Sequence, residues 1–179
     1  MRRSWAMLLI IAILTGLAYY QHANRNENAS LQAAALEEAS PKKGYRAPSF
    51  ELPDLEDRKM AFGGGSEQLT MINFWASWCG PCVMEAPDLQ ELHERYGDRL
   101  LLLGVNATHY DREREARQFV DEYELTFPIL MDREGGVTEL YKVAQFPTTL
   151  LVDRHGVVRE RIIGVIPKVK WEAIIDRWL

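Results

Sequence analysis

The chain has 179 residues, 47% hydrophobic and 26% charged, with a formal net charge of -5. That length supports one globular domain with a full core and leaves little for a second. Acids and bases are interspersed, with no gathered Lys and Arg to meet phosphates, which argues against a nucleic-acid surface.

Residues 4–20, SWAMLLIIAILTGLAYY, follow Arg2 and Arg3 and carry no charge, at the short end of what spans a bilayer as a helix. Gly16, Leu17 and Ala18 place small residues where a signal peptidase would cut. Tyr19 and Tyr20 at one end and Trp5 at the other sit where a retained helix would carry interfacial aromatics. The run is apolar on every face and a polar stretch follows it, which disfavours a buried core helix. We read residues 1–20 as a transmembrane anchor, with a cleaved signal as the alternative. Arg2 and Arg3 would stay on the cytoplasmic side, so the rest of the chain would be delivered across the membrane. Residues 21–44 are polar and Ala-rich and predict a flexible linker. The folded body is then expected over residues 45–179, with Gly63, Gly64 and Gly65 in a loop.

Within that body, LTMINFWA at 69–76 suits a buried strand. Residues 81–96 carry Val83, Ala86, Leu89 and Leu92 at helical spacing, with Pro87 inside as an expected kink. LLLLGVN at 100–106 predicts a second buried strand, and 111–123 a helix with Ala116, Phe119 and Val120 inward. FPILMD at 127–132 gives a third strand, and 137–143 a short helix. TTLLVDRHGVVRERIIG reads as a hairpin, with strands at 148–152 and 157–163 around a turn at 153–156. A last helix opens at Pro167 and runs through Trp171, Ile174, Ile175 and Trp178. The order is α/β, a central mixed sheet flanked by helices, with the parallel part first and an antiparallel hairpin last.

The chain's two cysteines, Cys79 and Cys82, lie in WASWCGPCVMEAP. A structural staple closing so short a loop restrains little of the unfolded chain. Zinc needs about four ligands, and His22, His93, His109 and His155 are scattered. Redox exchange suits the local sequence better. Cys79 falls between a buried strand and a helix, where unpaired amides and the helix dipole stabilise a thiolate. Cys82 follows one turn inward, close enough to attack a mixed disulfide on Cys79. Gly80 removes bulk near the attacked sulfur, and Pro81 fills a first-turn position that needs no N–H. The reading requires Cys79 to be reachable from solvent.

FWASWCGPC resembles the active-site stretch of thioredoxin-fold proteins. With WCGPCVMEAPDLQEL, FPILMD, QFPTTLLVDRHGVV and the opening YRAPSFELPDL, residues 45–179 resemble the membrane-anchored thiol-disulfide oxidoreductases of the bacterial TlpA and ResA type, which carry a redoxin (AhpC/TSA-like) domain. A lone CxxC is weak evidence; one on a strand-to-helix junction with Phe-Pro-Thr downstream and an anchor upstream is strong.

The resemblance implies a thioredoxin-like fold in which Cys79 is the nucleophile, Cys82 the resolving thiol, and Cys79–Cys82 a redox-active disulfide. Pro147 would be the cis-proline that faces the pair, with Phe146 and Pro147 offering backbone to a substrate peptide and Trp78 a platform beside the disulfide. Trp75 is expected in the core. Glu85 would match an acidic residue near the active site in this family; an ordinary solvated helix charge is the alternative. Asn73 stands where thioredoxin proper has a buried Asp, so an acid's role must fall to Glu85 or to water. The resemblance also implies no metal or organic cofactor, an extracytoplasmic catalytic domain and protein disulfide substrates such as apocytochrome c. A membrane thiol protein would be the electron donor, and the chain a monomer. Two other classes stay open. A thiol peroxidase shares the APSFELPD opening but carries Thr or Ser three residues before its cysteine, where Ala76 stands. The other is a binding module with an incidental CxxC.

Overall fold

A computed structural model describes residues 13–17, 19–21 and 38–179. The anchor and linker assigned to residues 1–20 and 21–44 lie mostly outside these. Residues 13–17 and 19–21 are helical, and among the described residues no helix is long and apolar enough to cross a membrane.

The body is built on a five-stranded sheet with β3 (Leu69–Trp75) at its centre. On one side β3 pairs in parallel with β4 (Leu100–Asn106), and β4 with β5 (Ile129–Met131). On the other it pairs antiparallel with β6 (Thr148–Val152), which pairs antiparallel with β7 (Val158–Ile163). All seven residues of β3 are buried, because helices and a hairpin cover both faces and a central strand then has no polar side. Alternation sorts them: Met71 and Trp75 join the cluster packed by α1 (Gly80–Tyr96) and α4 (Lys168–Trp178), whereas Ile72 and Phe74 join the opposite cluster. Asn73 therefore points at α1, and that parity sets up the site described below.

The remaining helices are α2 (Glu113–Glu122) and α3 (Gly136–Leu140). The predicted strands and helices are present within a few residues of their expected bounds. α1 runs unbroken through Pro87, which lies on its exposed face. The sequence did not announce β1 (Phe50–Pro53) and β2 (Lys59–Phe62), an antiparallel hairpin that covers the second face of the sheet. Phe50 anchors it, with ring centroids 5.4 Å from Phe62 and 5.6 Å from Tyr141. Nor are residues 38–44 free of the body. Ser40 N–H donates to Arg46 C=O, Gly44 N–H to Val158 C=O, and Lys43 pairs with Glu160. Ordered contacts begin ahead of Tyr45 because backbone groups and charges, not apolar side chains, make them.

Asp132, after β5, holds the start of α3. Its carboxylate accepts from Thr138 N–H and Thr138 Oγ, each at 2.7 Å, and from Val137 N–H at 3.3 Å. Asp132→Ala leaves buried donors without partners and should lower unfolding stability by about 2 kcal/mol. The expected reading is a lower urea midpoint with an unchanged m-value.

Candidate active site

The backbone leaves the C-terminal end of β3 at Trp75, turns through Ala76, Ser77 and Trp78, and enters α1 with Cys79 as its N-cap. Cys79 Sγ accepts the Cys82 N–H at 3.2 Å, a donor shared with Cys79 C=O at 3.0 Å, so a first-turn amide is aimed at the sulfur. Cys79 and Cys82 form a disulfide across a Cα–Cα distance of 5.2 Å. Both belong to the cluster between sheet and helices, with Phe146 packed against it. Cys79 retains 4% of its surface and Cys82 2%, so the first cysteine is less open than its place in the sequence suggests. Apolar burial at the helix entrance leaves little of either cysteine open to solvent.

Next to Cys79, Trp78 packs edge to face against Phe146, with ring centroids 6.0 Å apart at 80°. Trp78 is 60% exposed, and its indole N–H donates to Tyr110 C=O at 2.8 Å. Met84 and Tyr110 are also exposed. The Phe146–Pro147 peptide is cis. Pro147 is buried, and its carbonyl accepts from Gly164 N–H at 2.8 Å. Among the described residues, the N–H and C=O of Phe146 have no partner. A residue beside the disulfide thus offers one donor and one acceptor to an incoming chain.

Glu85 follows Cys82 by three residues on the inward face of α1 and is 2% exposed, which removes the solvated-charge alternative. Asn73 Nδ2 donates to Glu85 Oε1 at 2.6 Å and to Thr149 Oγ1 at 2.9 Å. Glu85 Oε2 and Trp75 Nε1 are buried without partners. Both residues, with Asn73, Cys82 and Phe127, line a cavity of about 10 Å³, close to the room one water needs. Burial, reinforced by the charge of Asp88, pushes the Glu85 carboxyl up to about 7 against the opposing Asn73 hydrogen bond. A carboxyl poised near neutrality beside the inner sulfur can take or give a proton. Trp75 lies in the core, as expected, over Gly104 of β4; a Cβ on Gly104 would come within 3.3 Å of Trp75 Nε1.

Sequence reasoning missed the link that ties the active-site turn to the loop after β4. Asp111, read as the first residue of a helix, instead turns its carboxylate toward Ser77, and α2 begins at Glu113. Among the described residues, no group of three or more His, Cys, Asp or Glu side chains is arranged to hold a metal ion.

A parallel-then-antiparallel sheet, a cysteine pair opening the first helix and a cis-proline just ahead of β6 define a thioredoxin-like thiol-disulfide oxidoreductase. The chain matches the AhpC/TSA family over residues 44–161 and belongs to that family. It is 32% identical to the thioredoxin-like protein YneN of Bacillus subtilis, over 98% of this chain and 99% of that protein. It is 33% identical to the thiol-disulfide oxidoreductase ResA of Bacillus cereus, over 75% of this chain and 77% of that one. Among solved structures, StoA from Bacillus subtilis superposes with a TM-score of 0.63 at 26% identity, covering 70% of this chain and 95% of StoA.

Proposed function

We propose that this enzyme reduces disulfides in protein substrates on the outer side of the cytoplasmic membrane, held there by its N-terminal apolar run. The observation that carries the reading is the Cys79–Cys82 pair at the start of α1 beside a Phe146 backbone with both hydrogen-bonding groups free. Those groups suit an extended polypeptide, which pairs with them while its disulfide meets Cys79.

In the reduced enzyme, the Cys79 thiolate attacks one sulfur of the substrate disulfide. The other substrate sulfur leaves as a thiolate and takes a proton. Cys82 loses its proton, for which Glu85 is the acceptor at hand, and attacks Cys79 Sγ, releasing the second substrate thiol. Two electrons pass from the enzyme dithiol to the substrate, and the enzyme is left as the disulfide. A membrane protein carrying a dithiol would restore the reduced state. The Gly80-Pro81 spacer favours the reducing direction, and apocytochrome c is the client we propose. The domain would act as a monomer.

Insulin reduction with dithiothreitol, run beside hydrogen peroxide consumption, tests the reading. The enzyme should accelerate insulin reduction at least about tenfold over dithiothreitol alone and leave peroxide unconsumed. Peroxide consumption would instead make this a peroxidase, although Ala76, three residues before Cys79, is fully buried and brings no hydroxyl to the sulfur. Silence in both assays would leave a binding module.

A further inference from the structure

The turn that carries Trp78 and Cys79 is fastened to the loop following β4 through one side chain. Asp111 Oδ2 accepts Ser77 N–H at 2.6 Å and Asn106 Nδ2–H at 2.8 Å. Asp111 Oδ1 accepts Ser77 Oγ–H at 2.6 Å and Arg112 N–H at 2.8 Å. Four donors converge on one carboxylate, two of them from the residue that precedes Trp78. The neighbouring Tyr110 carbonyl takes the Trp78 indole N–H at 2.8 Å, so the loop grips the turn at backbone and ring together. Trp75 C=O completes the seam by accepting Ala107 N–H at 3.0 Å.

Little else restrains Trp78. Its ring is 60% exposed and meets Phe146 edge-on, with no core pocket around it. An exposed aromatic of this kind would ordinarily sample several rotamers. Charge-assisted hydrogen bonds to a carboxylate are the strongest kind on this surface, and here they are spent on a turn rather than on a helix cap.

From this geometry we infer that Asp111 is a positioning residue for substrate polypeptide: through Ser77 and the Tyr110 carbonyl it holds Trp78 edge-on against Phe146, fixing the apolar wall beside Cys79 on which the substrate chain rests. The inference rests on the protein-disulfide reductase reading. It separates two substrate sizes. A polypeptide must lie along the wall made by the two touching rings and pair with Phe146, whereas a small aromatic disulfide needs only the sulfur. Loss of Asp111 should therefore weaken selection for polypeptide more than it weakens sulfur reactivity.

Asp111→Asn keeps the shape, but its amide nitrogen turns a donor toward groups that already donate. With the reduced enzyme, kcat/KM for insulin and the second-order rate constant for 5,5′-dithiobis(2-nitrobenzoate) are measured together. The ratio of the first to the second should fall about fivefold, mainly through KM. The same substitution made on Trp78→Ala should change that ratio by less than about twofold, because the ring it positions is gone. Equal losses on both substrates, or a full fivefold effect without Trp78, would reduce Asp111 to a structural role and overturn the inference. Should Asp111→Asn fail to fold, Ser77→Ala carries the same cycle with a smaller shift of the same sign. A wild-type enzyme idle on insulin would instead defeat the functional reading itself.

Discussion

Cys82→Ser should turn the enzyme from a catalyst into a trap. The structure keeps intact everything that makes Cys79 reactive when only the Cys82 sulfur is changed. The donor at 3.2 Å from Cys79 Sγ is the backbone N–H of residue 82, which serine retains, and the N-cap position of Cys79 does not depend on the side chain at 82. The first attack therefore proceeds. The second cannot, since a serine hydroxyl beside a disulfide is a far poorer nucleophile than a thiolate. Insulin turnover should fall by about a thousandfold, with a covalent substrate adduct accumulating toward one per enzyme. Mass spectrometry after tryptic digestion would place the adduct on Cys79, and dithiothreitol should release it. Cys79→Ser should yield no adduct. If that variant, and not Cys82→Ser, retained substrate, the two thiols would have their roles exchanged, and the amide geometry at the helix start would no longer explain the chemistry.

What the sequence made legible follows from how each part is encoded. β3 and β4 were readable because a strand buried on both faces is apolar over most of its length, and LTMINFW and LLLLGVN are, with Thr70, Asn73 and Asn106 as the polar residues. The same parity put Asn73 toward α1, although the run itself does not reveal that its amide would meet Glu85. The cysteine pair was legible from local chemistry, since a strand-to-helix junction carries its own electrostatics. The first hairpin was not, because strands of four residues joined by DLEDR carry too little period to register. Residues 38–44 pack through main-chain hydrogen bonds and a Lys43–Glu160 ion pair whose partner lies 117 residues on, and neither leaves a local pattern. Asp111 was misread for a related reason. An Asp ahead of a charged helical stretch looks like an N-cap, and only the fold brings Ser77, 34 residues earlier, against it. The near-burial of Cys79 was likewise hidden, since the cluster it joins is assembled from residues far along the chain.

Glu85→Gln should remove a pH dependence from both stability and exchange. The Glu85 carboxyl stands at about 7 in the folded protein, raised chiefly by burial from an ordinary 4.5. Between those values the folded chain holds a proton that the unfolded chain has lost, so stability is full below about 4.5 and falls as pH rises through 7, by about 3 kcal/mol in all. Glutamine does not titrate. It also sets an amide against Asn73 and Trp75, but that penalty is the same at every pH. Urea unfolding of the oxidised proteins at pH 4 and pH 8 should therefore show wild type losing about 3 kcal/mol relative to the variant. In the reduced protein, the ionised carboxylate disfavours a second negative charge at Cys82, so alkylation of the variant should rise at lower pH than in wild type. Resolution of a trapped mixed disulfide should nevertheless slow by about a hundredfold at neutral pH, because the nearby proton acceptor is gone. Unfolding curves that stay parallel from pH 4 to pH 8 would mean that Glu85 does not change protonation in that window. Its buried oxygen would then serve the fold rather than the exchange of protons with Cys82.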